Sequence, residues 1–390
     1  MSDTRKTTKP NVPNLRFPGF EGEWENKRIG DIGKFFSGGT PSSSRKDFYG
    51  GEIPFIRSGE IHSDKTELFL TQEGYKNSSA KMVEVGDILL ALYGANSGDI
   101  SISQMRGAIN QAILCIRTNV APVFFKSVWE KHAQKILNTY LQGGQGNLSA
   151  DIVKKITISI PSQIEQAKIA ALFSHLDERI SIQNKVIEDL KKLKTALEER
   201  MLGQCQGKQV RLRDILIERV EKSRINNQYE VLSSTVSGIY SQREYFNKEI
   251  ASADNTGYKA IHRGDVVLSP QNLWMGNINY NDRFEIGIVS PSYKVFSIDE
   301  KFDKGYIAFL LKTRKALWAY SLVSEQGASI VRRNLNYESF LEISFVIPSL
   351  KEQQATARRL SAFKQKQTME EAFLRSLLLQ KEFMLKSLFI

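Results

Sequence analysis

The sequence has few of the residues that build disulfide frameworks and metal sites. It contains two cysteines, Cys115 and Cys205, and four histidines among 390 residues. Two cysteines cannot form a disulfide framework or a cysteine-rich metal site. None of the histidines lies at a metal-ligand spacing from another histidine or from a cysteine. We therefore interpret the histidines as surface or packing residues, and we predict no metal in this chain.

Long apolar runs are also missing. No run approaches the roughly 20 residues of a membrane-spanning helix, and residues 1–6 lack the apolar segment of a signal peptide. We expect a cytoplasmic protein with no membrane partner. The chain is 41% hydrophobic and 10% aromatic, which is enough to fill folded cores. Its length allows two or three domains.

Signatures of catalysis are missing as well. The chain has no Walker A loop and no G-x-S-x-G elbow. Ser290-Pro291-Ser292-Tyr293 resembles the [D/N/S]-P-P-[Y/F/W] motif of amino-methyltransferases, but Ser292 replaces the second proline and the glycine-rich S-adenosylmethionine loop is absent. We interpret this segment as a strand-entry turn, with Tyr293 packed or facing a ligand. A DNA adenine methyltransferase is kept as the less favoured alternative.

What the sequence does contain is an internal repeat. Ile160-Pro161-Ser162 with Glu165-Gln166 recurs as Ile347-Pro348-Ser349 with Glu352-Gln353, which lies 187 residues later. Ahead of each copy lies a strand-like region with matching landmarks, at offsets of 178 to 183 residues. These landmarks are Gly30-Asp31-Ile32 with Arg213-Asp214-Ile215, Gly86-Asp87-Ile88 with Gly264-Asp265-Val266, and Gln145-Gly146 with Gln326-Gly327. The repeat predicts pseudo-twofold symmetry, which suits a ligand with two sites at a fixed separation.

Each copy of the repeat opens a helical pattern of about forty residues. Ser162 to Glu165 and Ser349 to Glu352 both fit the S-x-x-E capping box. Apolar residues then recur every three or four positions, as in a coiled-coil seam, and Gly203 closes the first pattern. The predicted helix-pairing residues are Leu176, Ile180, Ile187, Leu190, Leu197, Leu360, Phe363, Leu374, Leu377 and Met384. Other predicted seam positions are Leu193 and the polar Gln183, Gln367, Glu370 and Lys381.

The simplest partner for each long helix is the other one. Antiparallel pairing would form a rod about 60 Å long, at 1.5 Å per residue, with a globular domain at each end. Core packing and a dimer zipper are the alternatives, because periodicity alone does not identify the partner. Elsewhere the patterns predict a helix over 123–141 and a strand over 152–160.

The loops of both halves are rich in asparagine, glutamine, serine, arginine and aromatic residues. Such side chains pair with base edges and phosphates, and the net charge of +11 is compatible with a phosphate backbone as partner. The candidate DNA-binding residues are Ser37, Thr40, Ser42, Arg45, Lys46, Arg57, Ser58, Tyr93, Asn96, Ser97, Asn110, Gln111, Tyr240, Arg243, Gln271, Asn272, Trp274, Tyr293, Arg332, Arg333 and Asn334. No catalytic residue is predicted.

These features together resemble the specificity subunit of type I restriction–modification systems. The duplicated order of the motifs carries the resemblance, which covers residues 14–390. The individual motifs are Leu15-Arg16-Phe17-Pro18, Ser37-Gly38-Gly39-Thr40-Pro41, Gly51-Glu52-Ile53-Pro54-Phe55-Ile56, Asn110-Gln111-Ala112, Gly146-Asn147-Leu148-Ser149, Gly287-Ile288-Val289-Ser290-Pro291 and the two Ile-Pro-Ser copies. Gly38-Gly39-Thr40-Pro41 has no clear counterpart in the second half.

The resemblance implies an α+β fold with two tandem β-rich target-recognition domains separated by two long antiparallel coiled-coil helices. It divides the chain into a flexible tail (1–13), a first domain (14–160), a central spacer helix (161–205), a second domain (206–347) and a C-terminal spacer helix (348–390). Each domain would read half of a gapped, asymmetric site in double-stranded DNA. Two methyltransferase subunits and restriction subunits would be the partners, carrying S-adenosylmethionine, ATP and magnesium. A coiled-coil adaptor for proteins or glycans is the remaining alternative.

Overall fold

The computed structural model describes residues 10–141, 147–246, 254–326 and 332–390. These residues form two compact units. Unit 1 contains the described residues up to Asn184 together with Ala372–Ile390, and unit 2 contains those of Lys185–Glu371. Both unit boundaries fall inside the long helices, so each of these helices contributes residues to both units. The predicted landmark Gln145-Gly146, the counterpart Gly327 and residues 1–9 of the predicted tail lie outside the described residues.

The first half of the chain alternates short strands with a few helices. Its strands are β1 (Glu25–Arg28), β2 (Gly33–Ser37), β3 (Tyr49–Ile56), β4 (Phe69–Leu70), β5 (Lys81–Val83), β6 (Ile88–Ala91), β7 (Ile100–Ile102), β8 (Gly107–Ile109), β9 (Ile113–Thr118) and β10 (Thr157–Ile160). Its helices are α1 (Gln72–Lys76), α2 (Pro122–Leu141), α3 (Ala150–Lys155) and the long α4 (Gln163–Gly203).

The second half has the same general makeup. Its strands are β11 (Lys208–Arg211), β12 (Leu216–Glu218), β13 (Leu232–Ser234), β14 (Ile239–Ser241), β15 (Lys259–His262), β16 (Val266–Leu268), β17 (Ile278–Tyr280), β18 (Ile286–Val289), β19 (Lys294–Ile298), β20 (Ser324–Gln326), β21 (Arg333–Leu335) and β22 (Ser344–Ile347). Its helices are α5 (Leu212–Ile215), α6 (Gln242–Phe246), α7 (Lys304–Leu310), α8 (Arg314–Leu322), α9 (Tyr337–Glu342) and the long α10 (Leu350–Leu388).

The sheet topology shows the internal repeat directly. Unit 1 has a four-stranded sheet in the order β2-β9-β6-β7, and unit 2 has one in the order β12-β19-β16-β17. In each unit a separate two-stranded pair, β1 with β10 and β11 with β22, leads into a long helix. Gly86 and Gly264, both at φ +95°, make the turn before β6 and β16. The fold class predicted from the duplicated motifs is confirmed.

A buried glutamine joins the start of each long helix to its unit. Gln166 donates to the carbonyl of Pro161 (2.9 Å) and accepts from the amide of Ala121 (3.2 Å). In the same way, Gln353 donates to the carbonyl of Pro348 (2.9 Å) and accepts from the backbone amide of Asp303 (2.9 Å). Each side chain therefore satisfies two backbone groups that would otherwise be buried without a partner, which stabilises the helix start.

The core of unit 1 is built from aromatic side chains of several elements. Trp24, Phe124 and Phe173 surround Phe389 at centroid distances of 5.4 to 6.4 Å. Along α4, contacts to α10 run in reverse order, because Phe173 meets Phe389 and Arg179 meets Phe373. The two long helices are therefore antiparallel within this unit.

Four charged side chains join three helices of unit 1. Lys126 contacts Glu130 (2.9 Å) and Asp177 (2.6 Å), and Lys381 contacts the same two carboxylates (both 2.8 Å). Burial opposes ionisation of Asp177, but hydrogen bonds from Lys126 and Lys381 outweigh it and lower the pKa of its carboxyl. This ion tetrad explains why the seam of α10 has a lysine at position 381.

The core of unit 2 contains parts of both long helices. Leu202 of α4 and Ala357 and Leu360 of α10 pack with the sheet residues and with Tyr306 and Phe340. The region equivalent to α2 is divided here into α7 and α8, and Thr313 caps the second piece by accepting from the amide of Ala316 (3.2 Å).

The ten predicted helix-pairing residues all lie on the buried or half-buried side of their helices. Four are buried, with exposed fractions of 5% or less: Leu176, Ile187, Leu360 and Leu377. The other six are half-buried: Ile180, Leu190, Leu197, Phe363, Leu374 and Met384.

Two predictions of detail are wrong. Leu193 is 48% exposed, because the buried stripe steps from Leu190 to Lys194. The predicted strand over 152–160 begins only at Thr157, because the side chain of Ser149 caps α3 by accepting from the amide of Ile152 (3.2 Å). The helix predicted over 123–141 is confirmed as α2. Of the helices in the described ranges, none is long and apolar enough to cross a membrane.

Candidate nucleic-acid interface

In unit 1 the ends of several strands meet at one place. Ser37, the last residue of β2, is paired with Leu114 near the start of β9. Ala91, which ends β6, pairs with Ile113, and the parallel strands β3 and β8 end side by side at Ile56 and Ile109. The loops that follow are residues 38–42, 57–62, 92–98 and 110–112, and we call them loop edge 1. Nine of the sequence-predicted residues lie on this edge, and Ser37 lies beside it.

Direct contacts hold the loops of edge 1 together. The hydroxyl of Thr40 donates to the side-chain oxygen of Gln111 (2.6 Å), and the amide of Leu92 donates to the carbonyl of Ala112 (2.8 Å). At Gly38 a Cβ atom would lie 1.7 Å from the carbonyl oxygen of Ile109. Only glycine allows the two loops to approach so closely. Thr40, Gln111 and the exposed Tyr93 are therefore neighbours.

The two candidate arginines of unit 1 are already paired with carboxylates. Arg57 contacts Glu60 (2.8 Å) and Glu67 (3.0 Å), and its hydrogen bond lowers the pKa of Glu60 to about 2. Arg45 contacts Asp47 (2.6 Å) and lies 4.3 Å from the centroid of the Phe48 ring. Any phosphate that these guanidinium groups bind must compete with the carboxylates.

In unit 2 an equivalent edge forms at the end of β16. Leu268 pairs with Ile278 at the start of β17 and with Lys294 at the start of β19. A short 3₁₀ helix, Pro270–Met275, follows and carries Gln271, Asn272 and Trp274. We call residues 235–238, 269–276 and 290–293 loop edge 2. Because β16 matches β6 in the repeat, the two edges are equivalent places in the fold.

A buried polar network fixes loop edge 2. Ser234 donates to the side-chain oxygen of Asn277 (2.7 Å), and Asn279 donates to Ser234 (2.7 Å) and to the carbonyl of Thr235 (2.7 Å). These three side chains are at most 5% exposed. The sequence analysis missed them, although two asparagines on the inner face of an alternating strand are a detectable signal. The network holds the β13–β14 hairpin next to the 3₁₀ helix.

Tyr293 contributes to packing in this network. Its hydroxyl donates to the carbonyl of Ser234 (3.2 Å), and its ring packs against a small cluster that includes Leu232 and Val295. The Ser-Pro-Ser-Tyr segment is a turn that enters β19, as predicted. The structure therefore gives Tyr293 a packing role that the DNA-contact prediction did not include.

The strand β21 brings a further group to loop edge 2. It lies against the 3₁₀ helix Pro270–Met275, and the guanidinium of Arg333 lies 4.2 Å from the centroid of the Trp274 ring. Asn334 beside it is exposed, as are Gln271 and Arg332. Five predicted residues from two distant segments of the sequence thus share one surface. Within the described ranges, no group of three or more histidine, cysteine, aspartate or glutamate residues could hold a metal ion.

Comparison with known proteins shows which proteins this chain resembles. The sequence model of the family described as type I restriction modification DNA specificity domain matches residues 21–192. The MjaIX specificity subunit of a type I restriction enzyme from Methanocaldococcus jannaschii is 29% identical over 44% of this chain, and the MjaVIII specificity subunit of that organism is 22% identical over 90% of both chains. The chain is therefore similar to specificity subunits of type I restriction enzymes, and residues 21–192 match their DNA specificity domain.

The fold agrees with a solved member of this specificity-subunit family. The crystal structure of the S subunit of a type I restriction–modification system from M. genitalium matches with a TM-score of 0.62 at 15% identity, over 97% of this chain and 99% of that chain. The match to the MjaIX specificity subunit covers only 42% of that protein's length. Similarity over most of the chain is seen in the fold and in relatives such as the MjaVIII specificity subunit.

The sequence-predicted DNA-binding residues differ in exposure. Those that are exposed are Thr40, Ser42, Arg45, Lys46, Tyr93, Gln111, Arg243, Gln271, Arg332 and Asn334. Those that are half-buried are Ser37, Arg57, Ser58, Asn96, Ser97, Asn110, Tyr240, Asn272, Trp274, Tyr293 and Arg333. None is fully buried, so their contact with DNA stays a prediction that the geometry allows.

Proposed function

We propose that this chain is the DNA-reading subunit of a type I restriction–modification complex, with loop edge 1 reading one half of a gapped site and loop edge 2 the other. One observation carries the proposal: two sheets of identical strand order end in equivalent edges that bear different side chains. Equivalent edges suit two segments of the same kind of ligand. Different side chains suit different base sequences, because base contacts specify the sequence.

The long helices would recruit the partner subunits. In unit 1, α10 exposes Phe373, Leu379 and Phe383, with exposed fractions of 45%, 65% and 60%. Exposed apolar side chains of this size are typical of protein-binding surfaces. The chain itself would be non-catalytic. Two methyltransferase subunits with S-adenosylmethionine and restriction subunits with ATP and magnesium would supply the chemistry in the cytoplasm.

The proposal is tested by mapping methylated bases across the host genome, with and without this gene. Loss of methylation at one gapped, asymmetric motif supports it. Unchanged methylation, together with no sequence-dependent DNA binding by the purified complex, contradicts it and favours the adaptor hypothesis.

A second experiment tests whether the long helices set the gap. One heptad is removed from each helix, residues 190–196 of α4 and residues 363–369 of α10, so that both seams keep their phase. We expect a changed gap length or loss of binding. Methylation of the original motif with the same gap would contradict this part of the proposal. In the matched control no residue is deleted, and the exposed Lys192 is replaced by alanine. This variant should methylate the original DNA motif.

A further inference from the structure

The guanidinium of Arg333 is held in one orientation by two elements of unit 2. Arg333 begins β21 and pairs with Gln326 of β20, which fixes its backbone. Its guanidinium carbon lies 4.2 Å from the centroid of the Trp274 ring. The 3₁₀ helix that carries Trp274 is anchored by the fully buried Leu273 and ends at Gly276, which has φ +89°. The stacked side chain therefore has little freedom to turn.

One donor of the Arg333 guanidinium is unpaired. Its Nε atom is buried and makes no hydrogen bond among the described residues. This contrasts with Arg45 and Arg57, which both have carboxylate partners. A buried guanidinium donor without a partner is unusual in a folded protein. The side chain is only half-buried, and a ligand would contact its exposed part at loop edge 2.

The neighbours of Arg333 indicate which acceptor this is. A stacked guanidinium presents its donors as a planar fork, which matches the O6 and N7 acceptors of guanine in the major groove. Exposed amides of Gln271 and Asn334 lie on the same surface, and amides pair with base edges as well as with backbone. A phosphate also matches this fork, and the amides beside Arg333 favour a base edge as its partner.

We propose that Arg333, positioned by Trp274, reads a guanine in the half-site bound by unit 2. The inference rests on the proposed function and adds to it one specificity-determining residue, one positioning residue and the base that they recognise.

The test uses the complete complex and begins by mapping its methylation motif. Arg333→Lys keeps the charge but loses the planar fork. We expect it to bind the cognate site about tenfold or more weakly and to accept other bases at one guanine position, because a bidentate arginine–guanine pair discriminates by about ten- to a hundredfold. The other half-site should be read as before. Trp274→Leu should also weaken binding and relax the preference for guanine. Trp274→Phe, which keeps an aromatic ring, should restore that preference.

Arg263→Lys is the matched control, because it makes the same change at an exposed arginine of unit 2 that lies outside the candidate interface. It should leave the base preference at every position unchanged. A measurement that needs no variant replaces each guanine of that half-site with 7-deazaguanine, which lacks the N7 acceptor. The wild-type complex should bind more weakly when the guanine at one position is replaced. This result does not depend on whether the variants fold.

The outcomes separate this inference from the function on which it rests. A wild-type complex without sequence-dependent binding refutes the proposed function. A wild-type complex that reads a gapped motif, while Arg333→Lys keeps every base preference or loses affinity equally for all sequences, overturns only the role of Arg333. The role of Arg333 is also overturned if 7-deazaguanine leaves the affinity of the wild-type complex unchanged at every position.

Discussion

The two copies of the helix-opening sequence are nearly identical, yet they are stabilised differently. At α10, Ser349 and Glu352 form the full capping box, with the amide of Ser349 donating to Glu352 (3.1 Å) on an exposed surface. At α4, Glu165 is 1% exposed and instead receives two hydrogen bonds, both of 2.8 Å, from Arg16. The local motif thus predicts where each helix begins. The hydrogen bonds that its side chains form depend on the segment of chain that packs over the motif.

The largest difference between the halves should come from the ion tetrad. Lys381 and Lys194 occupy equivalent positions in the repeat, but the carboxylate that Lys194 contacts among the described residues is the partly exposed Glu198 (3.5 Å). We expect Lys381→Met to lower the free energy of unfolding of unit 1 by about 2–3 kcal/mol, because it leaves two carboxylates with one lysine. Lys194→Met should cost less than about 1 kcal/mol in unit 2.

Urea titration followed by hydrogen exchange of buried amides measures the two units separately. Equal losses for Lys381→Met and Lys194→Met would mean that the tetrad adds nothing beyond a surface ion pair.

A smaller difference is expected at the two helix starts. Glu165→Gln should lower the free energy of unfolding of unit 1 by about 2 kcal/mol, because Arg16 loses a buried charged acceptor. Glu352→Gln should cost about 0.5–1 kcal/mol in unit 2, the usual range for a helix cap. Thermal and urea unfolding of both variants test this, and Arg16→Met should reproduce the effect of Glu165→Gln. A larger loss for Glu352→Gln would reverse the interpretation.

The smallest expected effect is a difference between the two loop edges in how the stability cost of a substitution depends on pH. The pKa of Glu60 is lowered to about 2 from 4.5, so its contribution is complete above about pH 4.5 and is lost as the pH falls towards about 2. Glu60→Gln should therefore destabilise unit 1 by about 1 kcal/mol at pH 7 and by less at pH 3. The cost of Arg333→Lys in unit 2 should not change between these pH values, since its partner is an indole. Urea unfolding at both pH values checks this.

The repeat, the long helices and most of their seams could be predicted from the sequence because they follow from spacing. A stripe of apolar residues at three- and four-residue steps has one physical solution, a helix with a buried face. Leu193 shows the limit of that argument. The buried stripe uses a step of four residues at this point, and Lys194 takes the inner position while its amine pairs with Glu198.

The candidate site could be predicted only as a set of residue types. Polar loop residues mark strand ends, so the residues named from sequence do lie on or near the two loop edges. Their partners depend on contacts across long stretches of chain. The stacking of Arg333 on Trp274, the pairing of Arg57 with Glu60 and Glu67, and the inward-facing Asn277 and Asn279 all depend on such contacts.

The glutamines at the two helix starts have a consequence for how such proteins diverge. Within the described ranges, the hydrogen bonds of Gln166 and Gln353 go to backbone groups. The residues that supply the amide are as different as Ala121 and Asp303. Because the contact ignores the partner's side chain, substitutions at positions 121 and 303 leave it intact. Pairwise covariation between columns of related sequences should therefore carry no signal for this contact, although it holds each long helix to its sheet.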